Sequence, residues 1–344
     1  YPLRRQRQMC IRDRSDIKDN KERLFLCEVF SEEKKTINIS CPFNYIGGKF
    51  KLLEQLQPLF LEKDVFLDLF AGGGNVGINS SSSKVIFNDL NEKLIDLIKF
   101  IKDTDTNILL KQIDNIIDGY GLSNTSLYGY SYYDCDSSRG LAEYNKGRFL
   151  KLRDDFNAKV LAGETDYSML YVLMVFSFNN QIRFNRKGLF NLPVGKRDFN
   201  SKMKSKLVLF SEELKSKDVQ FMKKDFREIS LDDFSQETFI YCDPPYLITN
   251  ATYNENGMWT EIEEKALLEF LDEANEKGFS FALSNVLESK NKRNDILYNW
   301  IESKGYYCNS LNKSYSNSNY HRKNKNSISE EVLITNYPLN WRNK

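Results

Sequence analysis

The chain has 344 residues, an apolar fraction of 41% and a formal net charge of +1. A chain of this length and composition is predicted to fold as a globular protein with one large domain or two ordinary ones. Because positive and negative side chains nearly cancel, a polyanion would have to be bound by a local basic face, so net charge neither favours nor excludes a nucleic acid.

Six cysteines are scattered without a CxxC pair, and His321 is the only histidine. This argues against a zinc site and against a catalytic triad built on histidine, so no metal is expected. The longest apolar run, around residues 169–178, is too short to cross a bilayer, and no signal peptide is visible. A reducing, cytoplasmic setting without a membrane partner is therefore predicted.

Residues 1–35 are predicted to be an N-terminal tail. Within it, residues 1–14 (YPLRRQRQMCIRDR) lack an initiator Met, show no apolar period and cluster arginines. They resemble adapter or vector read-through more than native sequence and are left out of the fold prediction. A basic DNA-binding arm is the alternative interpretation.

Short apolar segments that end in turn residues predict the strands of a sheet. These strands are 65–70, 85–88, 219–222, 238–242 and 279–284, with a closing hairpin of 306–311 and 331–337. Helices are predicted to begin at Lys49, after the glycine-rich turn, and after Asn91. Another begins at Thr260, which forms a capping box with Glu263, and ends at Gly278. The fold class is therefore α/β, with a mostly parallel sheet and a final antiparallel strand.

Residues 105–206 lack this alternation and are rich in Tyr, Asn, Phe and basic side chains. They are predicted to form an inserted domain. The sheet domain then consists of residues 36–104 and 207–344.

The turn AGGGNVG, with Gly72 and Gly74, follows the first strand directly, so the backbone can turn sharply and let a nucleotide-like ligand approach closely. Asp89, at the end of the next strand, is placed to accept hydrogen bonds from both ribose hydroxyls. No GK[ST] follows, so the turn is not a P-loop. The distance in sequence from Gly74 to Asp89 is shorter than the roughly 20 residues of dinucleotide sites, which disfavours an NAD enzyme. A turn that only connects strand to helix is the structural alternative.

Lys49 in FNYIGGKF lies at the start of a predicted helix. A cation is mildly unfavourable there because of the helix dipole, so an anionic neighbour is expected, and a ligand carboxylate would serve. A solvated surface lysine is the alternative.

The stretch FIYCDPPYL ends a buried strand with Asp243, Pro244, Pro245 and Tyr246. The prolines fix φ and remove two N–H donors, so their carbonyl oxygens accept without a competing donor. The Asp243 carboxylate and the Pro244 carbonyl are two acceptors suited to an exocyclic amino group, and Tyr246 offers a face on which a base can stack.

Two such acceptors would draw the amino nitrogen of adenine toward tetrahedral geometry and stabilise the positive charge that develops on it. A sulfonium would donate the methyl group, with in-line placement supplying most of the remaining barrier reduction. In a doubly wound sheet the first and fourth strands are neighbours, so the glycine turn and the Asp-Pro-Pro-Tyr segment are predicted to share one crevice.

Six stretches in order (FNYIGGKF, FLDLFAGGGNVG, VIFNDLN, KKDF, YCDPPY, FALSN) resemble the DNA adenine methyltransferases of the Dam type, over residues 41–337. The resemblance implies a Rossmann-like, S-adenosylmethionine-dependent methyltransferase fold, with residues 105–206 as a mainly helical target-recognition domain. It implies that Asp243, Pro244, Pro245 and Tyr246 hold a flipped adenine. The cofactor-binding residues that it implies are Tyr45, Gly48, Lys49, Asp68, Phe70, Gly72, Gly74, Asp89, Asp225 and Phe226.

Residues 178–197, here called the recognition segment, resemble the part of this family that reads double-stranded DNA. The resemblance implies that Phe178 is a wedge entering the duplex and that Asn179 and Arg183 read bases. The DNA contacts that it implies are Phe178, Asn179, Asn180, Arg183, Asn185, Pro193 and Lys196. Interleaved aromatic and basic residues suit stacking and phosphate neutralisation, and Arg183 suits the O6 and N7 edge of guanine. A solvated basic turn around a small aromatic core is the alternative.

The predicted function is methylation of adenine in a GATC-like site, with a cognate restriction endonuclease as a partner at the same site. One alternative is a methyltransferase of the same fold that acts on RNA adenine or protein glutamine, which the large insertion disfavours. Another is a non-catalytic DNA-binding relative, which the presence of Asp243 and Tyr246 disfavours. A nicotinamide oxidoreductase is the third.

Overall fold

A computed structural model describes residues 38–45, 47–248, 259–289, 292–311 and 329–339. The predicted tail 1–35, His321 and the loop of the closing hairpin lie outside these ranges.

A mostly parallel sheet organises the described residues. Its strands are β1 (Val65–Asp68), β2 (Lys84–Asn88), β3 (Asp218–Met222), β4 (Thr238–Cys242), β5 (Ser280–Ser289), β6 (Lys292–Arg293), β7 (Tyr307–Leu311) and β8 (Ser329–Thr335). Their order is β3-β2-β1-β4-β5-β8-β7, with β6 paired to the end of β5. Strands β1 to β5 pair in parallel, and β8 pairs antiparallel with both β5 and β7. The predicted Rossmann-like fold with an antiparallel edge is confirmed.

The helices are α1 (Leu53–Leu56), α2 (Glu92–Asp103), α3 (Thr106–Tyr120), α4 (Thr125–Tyr128), α5 (Ala142–Leu161), α6 (Tyr167–Phe176), α7 (Ser201–Ser216), α8 (Glu261–Glu276) and α9 (Asp295–Lys304). The N-terminus of α2 is capped by Asn91, whose side chain accepts from the Leu94 amide. The predicted capping box of Thr260 and Glu263 begins α8. In both places a side chain satisfies an amide that the helix leaves without a partner.

The helix predicted after the glycine turn is wrong, because only the short 3₁₀ turn Gly77–Asn79 forms there. Side chains take the backbone groups that a helix would use: Asp68 accepts from the Gly77 amide at 3.0 Å, and Asn79 donates to the Asn75 carbonyl at 2.7 Å. Such local side-chain bonds compete with helix formation. The chain therefore leaves the turn in an irregular path beside the cleft.

Both faces of the sheet are covered, as parallel sheets require. Phe66 and Val85 point into one apolar layer, which includes side chains of α1 to α3 and α5 to α7. Leu67 and Ile86 point to the other face and pack with α8 and α9. The side chains alternate because successive residues of a strand face opposite sides.

The residues predicted to be an inserted domain are mainly helical, and they share an apolar cluster with the sheet. Helix α6 is buried from Ser168 to Phe176 and packs against α2, α3 and α5. Its side chains belong to the same cluster as Phe66 and Phe87 on the sheet. The described residues from Ile39 onward form one compact unit. The division into two domains stays a prediction, and this shared core gives it a direct test.

We expect Leu173→Ala to destabilise sheet and insertion together, because Leu173 is fully buried in the shared cluster. The free energy of unfolding should fall by about 2–5 kcal/mol, as for other buried Leu to Ala changes. Urea unfolding followed by far-UV circular dichroism and by tryptophan fluorescence checks this, since Trp259 and Trp300 lie on the opposite face of the sheet.

Leu161→Ala is the matched control: Leu161 ends α5 and is 72% exposed, so its substitution should change stability by less than about 0.5 kcal/mol. If the circular dichroism signal of the Leu173 variant splits into two transitions while fluorescence follows only the later one, the insertion unfolds independently and the prediction is wrong.

Candidate active site

An open cleft lies where β1 and β4 end side by side, with Asp68 paired to Tyr241. Its volume is about 770 Å³, including the solvent at its mouth. Eleven of the residues that the sequence motifs single out line it: Tyr45, Gly48, Lys49, Asp68, Phe70, Gly72, Asp89, Asp243, Pro244, Pro245 and Tyr246. Gly74, Asp225 and Phe226 are not among the lining residues. The parallel pairing of β1 with β4 thus brings segments almost 200 residues apart into one site.

The glycine turn is held by Asp89. The Gly72 amide donates to Asp89 Oδ2 at 2.8 Å, and the Asn91 amide donates to Oδ1 at 2.8 Å. Gly72 has φ +50°, and a Cβ there would lie 2.7 Å from the Tyr45 ring, so a side chain would both strain the backbone and collide. Glycine is therefore required for the turn to approach Tyr45 this closely.

Asp68 is a buried carboxylate at the bottom of the cleft. Burial raises its pKa to about 7, the Gly77 amide opposes this shift, and the charges of Asp243 and Asp89 add to it. Burial likewise raises the pKa of Asp89. Three carboxylates thus face one cleft together with a single ammonium group, that of Lys49, among the described lining residues.

Lys49 is 2% exposed, so the surface-lysine interpretation is wrong. It precedes the first turn of helix, and the chain itself supplies the anionic neighbour. Its Nζ lies 2.6 Å from Asp243 Oδ1 and 2.7 Å from Oδ2, and it donates to the Gly47 carbonyl at 3.1 Å. The Lys49 ammonium also lies 5.0 Å from the centre of the Tyr246 ring. These contacts tie the segment before α1 to the residues that follow β4.

Glu331 completes this group and was not found by sequence reasoning. It lies in β8 with a fully buried side chain, and its Oε1 is 3.4 Å from Lys49 Nζ. The Tyr246 hydroxyl lies 2.9 Å from Asp243 Oδ1 and 3.2 Å from Glu331 Oε1. The sequence signal was a glutamate within a predicted strand, followed by the apolar residues 332–334, where a buried charge requires a partner.

Phe70 lines the cleft, and an aromatic cluster packs against its ring. The Phe70 ring packs against Phe226 at 5.6 Å and edge-on against Trp259 at 5.7 Å. Trp259 was also missed by sequence reasoning; its indole N–H donates to the buried carboxylate of Glu264 at 2.7 Å. Asp225 pairs with Arg227 at 2.6 Å, and these hydrogen bonds lower its pKa.

The recognition segment begins with an exposed aromatic ring. Phe178 is 52% exposed, and the next two residues, Asn179 and Asn180, have φ of +56° and +53°. Both asparagines are tied to Asn44, whose side chain donates to the Asn179 carbonyl at 2.8 Å and whose amide donates to the Asn180 carbonyl at 3.1 Å. Asn44 directly precedes Tyr45 of the cleft, so this link joins the recognition segment to the cleft wall.

The rest of the segment folds back on itself as an irregular hairpin. Arg183 is exposed and its Nε donates to Asn191 at 2.9 Å, while the Asn185 side chain accepts from the amides of the turn that follows it. Phe184 packs on the buried Phe190, which forms the small core foreseen in the alternative interpretation. Pro193 and Lys196 are exposed at the end of the hairpin.

A basic pocket of about 570 Å³ lies between Asn44, Asn180 and the start of α7. Arg197, Lys202 and Lys206 line it, and none of its described lining residues is a carboxylate. Burial, followed by the charge of Lys202, lowers the pKa of Lys206. Sequence reasoning missed this pocket, because its cations come from two elements that only the fold brings together.

The described ranges contain neither a metal-ligand cluster nor a membrane-spanning helix. No group of three or more His, Cys, Asp or Glu side chains is arranged there to hold a metal ion. No helix within them has the length and apolarity needed to cross a bilayer.

Known proteins share this combination of motifs. Residues 45–326 match the D12 class of N6 adenine-specific DNA methyltransferases. The chain is 39% identical over 313 residues to the type II methyltransferase M.FokI of Planomicrobium okeanokoites, covering 89% of the chain and 44% of that protein. It is 39% identical over 306 residues to the modification methylase StsI of Streptococcus sanguinis, covering 87% and 43%. It is 27% identical over 249 residues to the DNA adenine methylase of Vibrio cholerae, covering 70% and 79%.

The sheet order and the shared cleft define a Rossmann-like methyltransferase, and the resemblance stated from the motifs is confirmed at the level of the family. The chain belongs to the D12 class of N6 adenine-specific DNA methyltransferases. It spans less than half the length of M.FokI and StsI.

We expect Asp68→Asn to stabilise the ligand-free chain, and to do so more at high than at low pH. The folded state holds the Asp68 proton up to about pH 7, whereas the unfolded state releases it near the ordinary value of 3.8. Because the folded state then binds more protons, the free energy of unfolding falls as pH rises through this window, by up to about 1.4 kcal/mol per pH unit.

Urea unfolding at about pH 5 and about pH 8 measures the difference between variant and wild type. The amide oxygen of asparagine can still accept from the Gly77 amide, so the main change is the charge. Asp68→Ala, which also loses that hydrogen bond, is the control for packing. Equal differences at the two pH values would contradict the prediction.

Proposed function

We propose that this chain transfers a methyl group from S-adenosylmethionine to the exocyclic amino group of an adenine flipped out of duplex DNA. One observation carries the proposal: a nucleotide-type glycine turn and an Asp-Pro-Pro-Tyr segment open into the same cleft, at the paired ends of β1 and β4. The D12 family match supports the same chemistry.

The cleft fits the cofactor by its charges. Asp68, Asp89 and Asp243 give it an excess of negative charge, which suits a ligand that carries a sulfonium and an ammonium group. When bound, S-adenosylmethionine supplies an electrophilic methyl group. Lys49 is the cation suited to its carboxylate, Asp89 would accept from its ribose hydroxyls, and the wall formed by Phe70 offers an apolar surface to its purine.

Asp243 and the Pro244 carbonyl would accept the two hydrogens of the target amino group. A carboxylate has about four acceptor positions, and the contacts with Lys49 and Tyr246 leave part of this capacity toward the cleft. Burial raises the pKa of Tyr246 well above its usual value, so its hydroxyl remains a donor. Accepting both amino hydrogens stabilises the positive charge that develops as the nitrogen attacks the methyl group.

Duplex DNA would approach on the side of the recognition segment. Phe178 is the exposed ring next to the cleft wall and would fill the space left by the extruded base. Arg183 would read guanine after exchanging its bond to Asn191, and the pocket of Arg197, Lys202 and Lys206 would receive backbone phosphates. The target that the Dam-type resemblance favours is a GATC-like site.

A restriction endonuclease that cuts the same site is the proposed partner. The supporting observation is that StsI and LlaI, at 39% and 30% identity, carry the name modification methylase. The chain would protect that site from the endonuclease by methylating its adenine.

The proposed reaction is tested with methyl-labelled S-adenosylmethionine and plasmid DNA, comparing wild type with Asp243→Ala. We expect label on adenine with wild type and a loss of at least about 100-fold with the variant, since one preorganised charge-stabilising group contributes this much. Single-molecule sequencing of the plasmid identifies the modified bases, and cleavage protection with an enzyme specific for GATC checks the site.

Labelled cytosine, or equal label with wild type and variant, would overturn the assignment of Asp243. Adenine methylation outside GATC would support the proposed reaction and contradict the proposed target sequence. Parallel reactions with RNA and with a glutamine-containing peptide test the two alternative substrates. If RNA or the peptide is labelled and DNA is not, the proposal that DNA is the substrate is wrong.

The basic pocket gives a second test of DNA binding. If Lys202 and Lys206 each neutralise one phosphate, replacing both with alanine should lower the slope of log affinity against log salt by about 2, and weaken binding uniformly across sequences. Fluorescence anisotropy with a labelled duplex at several salt concentrations measures the slope.

Lys265→Ala is the matched control, because Lys265 is an exposed lysine of α8 on the opposite face of the sheet. It should leave the slope unchanged. An unaltered slope in the Lys202 and Lys206 double variant would exclude the pocket from DNA binding.

A further inference from the structure

We propose that Glu331 is a positioning residue of this site: it holds Tyr246 and Lys49 in place so that Asp243 can give its acceptor capacity to the substrate. The inference rests on the proposed function. It assigns a role to a residue outside the glycine turn and the Asp-Pro-Pro-Tyr segment, on the antiparallel edge of the sheet.

The hydroxyl of Tyr246 is shared between Asp243 and Glu331. Tyr246 has one hydroxyl proton and two carboxylate oxygens within hydrogen-bonding distance, one from Asp243 at 2.9 Å and one from Glu331 at 3.2 Å. When an amino group donates to Asp243, the hydroxyl can donate to Glu331 instead. The ring of Tyr246 then keeps its orientation while the substrate binds.

Lys49 lies next to two carboxylates, those of Asp243 and Glu331. Its ammonium is held by Asp243 and also lies 3.4 Å from Glu331 Oε1. A buried ammonium that loses its only counter-charge is strongly destabilised. Glu331 keeps a negative charge beside Lys49 when Asp243 turns to the substrate, so the lysine can remain in the cleft and meet a cofactor carboxylate.

The position of Glu331 argues against a role in packing alone. Glu331 is fully buried and is followed on β8 by the buried apolar residues Val332, Leu333 and Ile334. An apolar side chain would satisfy packing at such a position without the desolvation cost of a carboxylate. The carboxylate is instead placed where it contacts two groups of the cleft, which is the expected pattern for a functional constraint.

The charge of Glu331 also acts on Asp243. Burial raises the pKa of the Asp243 carboxyl, Lys49 lowers it, Glu331 raises it, and the Tyr246 hydroxyl lowers it. Asp68, Tyr241 and Cys242 are further titratable groups close to Asp243 among the described residues, and their own pKa values are raised mainly by burial and in part by its charge. Removing the Glu331 charge should therefore lower the pKa of Asp243.

The test compares Glu331→Gln and Glu331→Ala with wild type in the methyl-transfer assay. We expect kcat to fall about 100-fold in the alanine variant, the usual cost of a misplaced catalytic group, with a smaller change in KM for DNA. The glutamine variant keeps an acceptor for Tyr246 and should lose less. Its acid limb in the profile of kcat against pH should move to lower pH, because ionised Asp243 is the acceptor and its pKa is lowered.

Thr335→Val is the matched control, since Thr335 is buried on the same strand and its hydroxyl donates to the Tyr337 carbonyl, away from the cleft. It should reduce stability without moving the pH profile. Unfolding of all variants by urea separates a loss of folded protein from a loss of turnover.

A double-mutant cycle with Tyr246→Phe decides whether Glu331 acts through Tyr246. In that background Glu331→Gln should cost clearly less than in wild type, because the hydroxyl that it holds is gone. If the alanine variant does not fold, the glutamine variant and the cycle decide the question.

The inference is overturned if the Glu331 variants turn over within about 2-fold of wild type with an unmoved acid limb, or if the effects in the cycle are additive. If the wild-type chain methylates DNA and the Glu331 variants do so equally well, only this inference is wrong. A folded wild-type chain that transfers no methyl group to adenine would overturn the proposed function and this inference with it.

Discussion

The parallel pairing of β1 with β4 is the constraint on which the site depends. Asp68 and Tyr241 are register partners, so the chain leaves both strands at the same edge of the sheet. The strand order reverses between β1 and β4, so the turns after these two strands diverge and leave a crevice. The glycine turn forms one wall and the Asp-Pro-Pro-Tyr segment the other.

The cleft concentrates charge that the fold must compensate. Asp68, Asp89, Asp243 and Glu331 are carboxylates in or beside it, and Lys49 is the ammonium that meets two of them. Burial is the main reason why the pKa of Asp68 is raised, and the charges of Asp243 and Asp89 raise it further. A cationic ligand would relieve this repulsion. This concentration of buried carboxylates costs stability in the ligand-free chain.

The recognition segment and the cleft share structural supports. Asn44 bonds the carbonyls of Asn179 and Asn180 and is followed directly by Tyr45, whose ring lies against Gly72. The two asparagines have left-handed backbone conformations, which cost energy and persist only where surrounding bonds fix them. These two bonds therefore connect the recognition segment with the Tyr45 side of the cleft.

The sequence by itself determined the described strands other than β6, the helices that begin after Asn91 and at Thr260, and the two turns of the cleft, because these depend on local rules: apolar runs, side-chain caps, and glycine where φ is positive. Thr260 with Glu263, Asn91 and Gly72 are examples. Sequence failed after Gly77, where Asp68 and Asn79 take the backbone groups of a predicted helix. Both hydrogen bonds involve side chains, and the spacing of apolar residues gives no information about them.

Only the tertiary structure decided which charges meet. Glu331 comes close to Lys49 because β8 inserts between β5 and β7. Lys202 and Lys206 of α7 share a pocket with residues 42–44, which precede α1. The counter-charge of Lys49 is likewise 194 residues away in sequence. Side-chain pairing of this kind is set by sheet order and register, and no local pattern encodes which distant residue a buried charge will find.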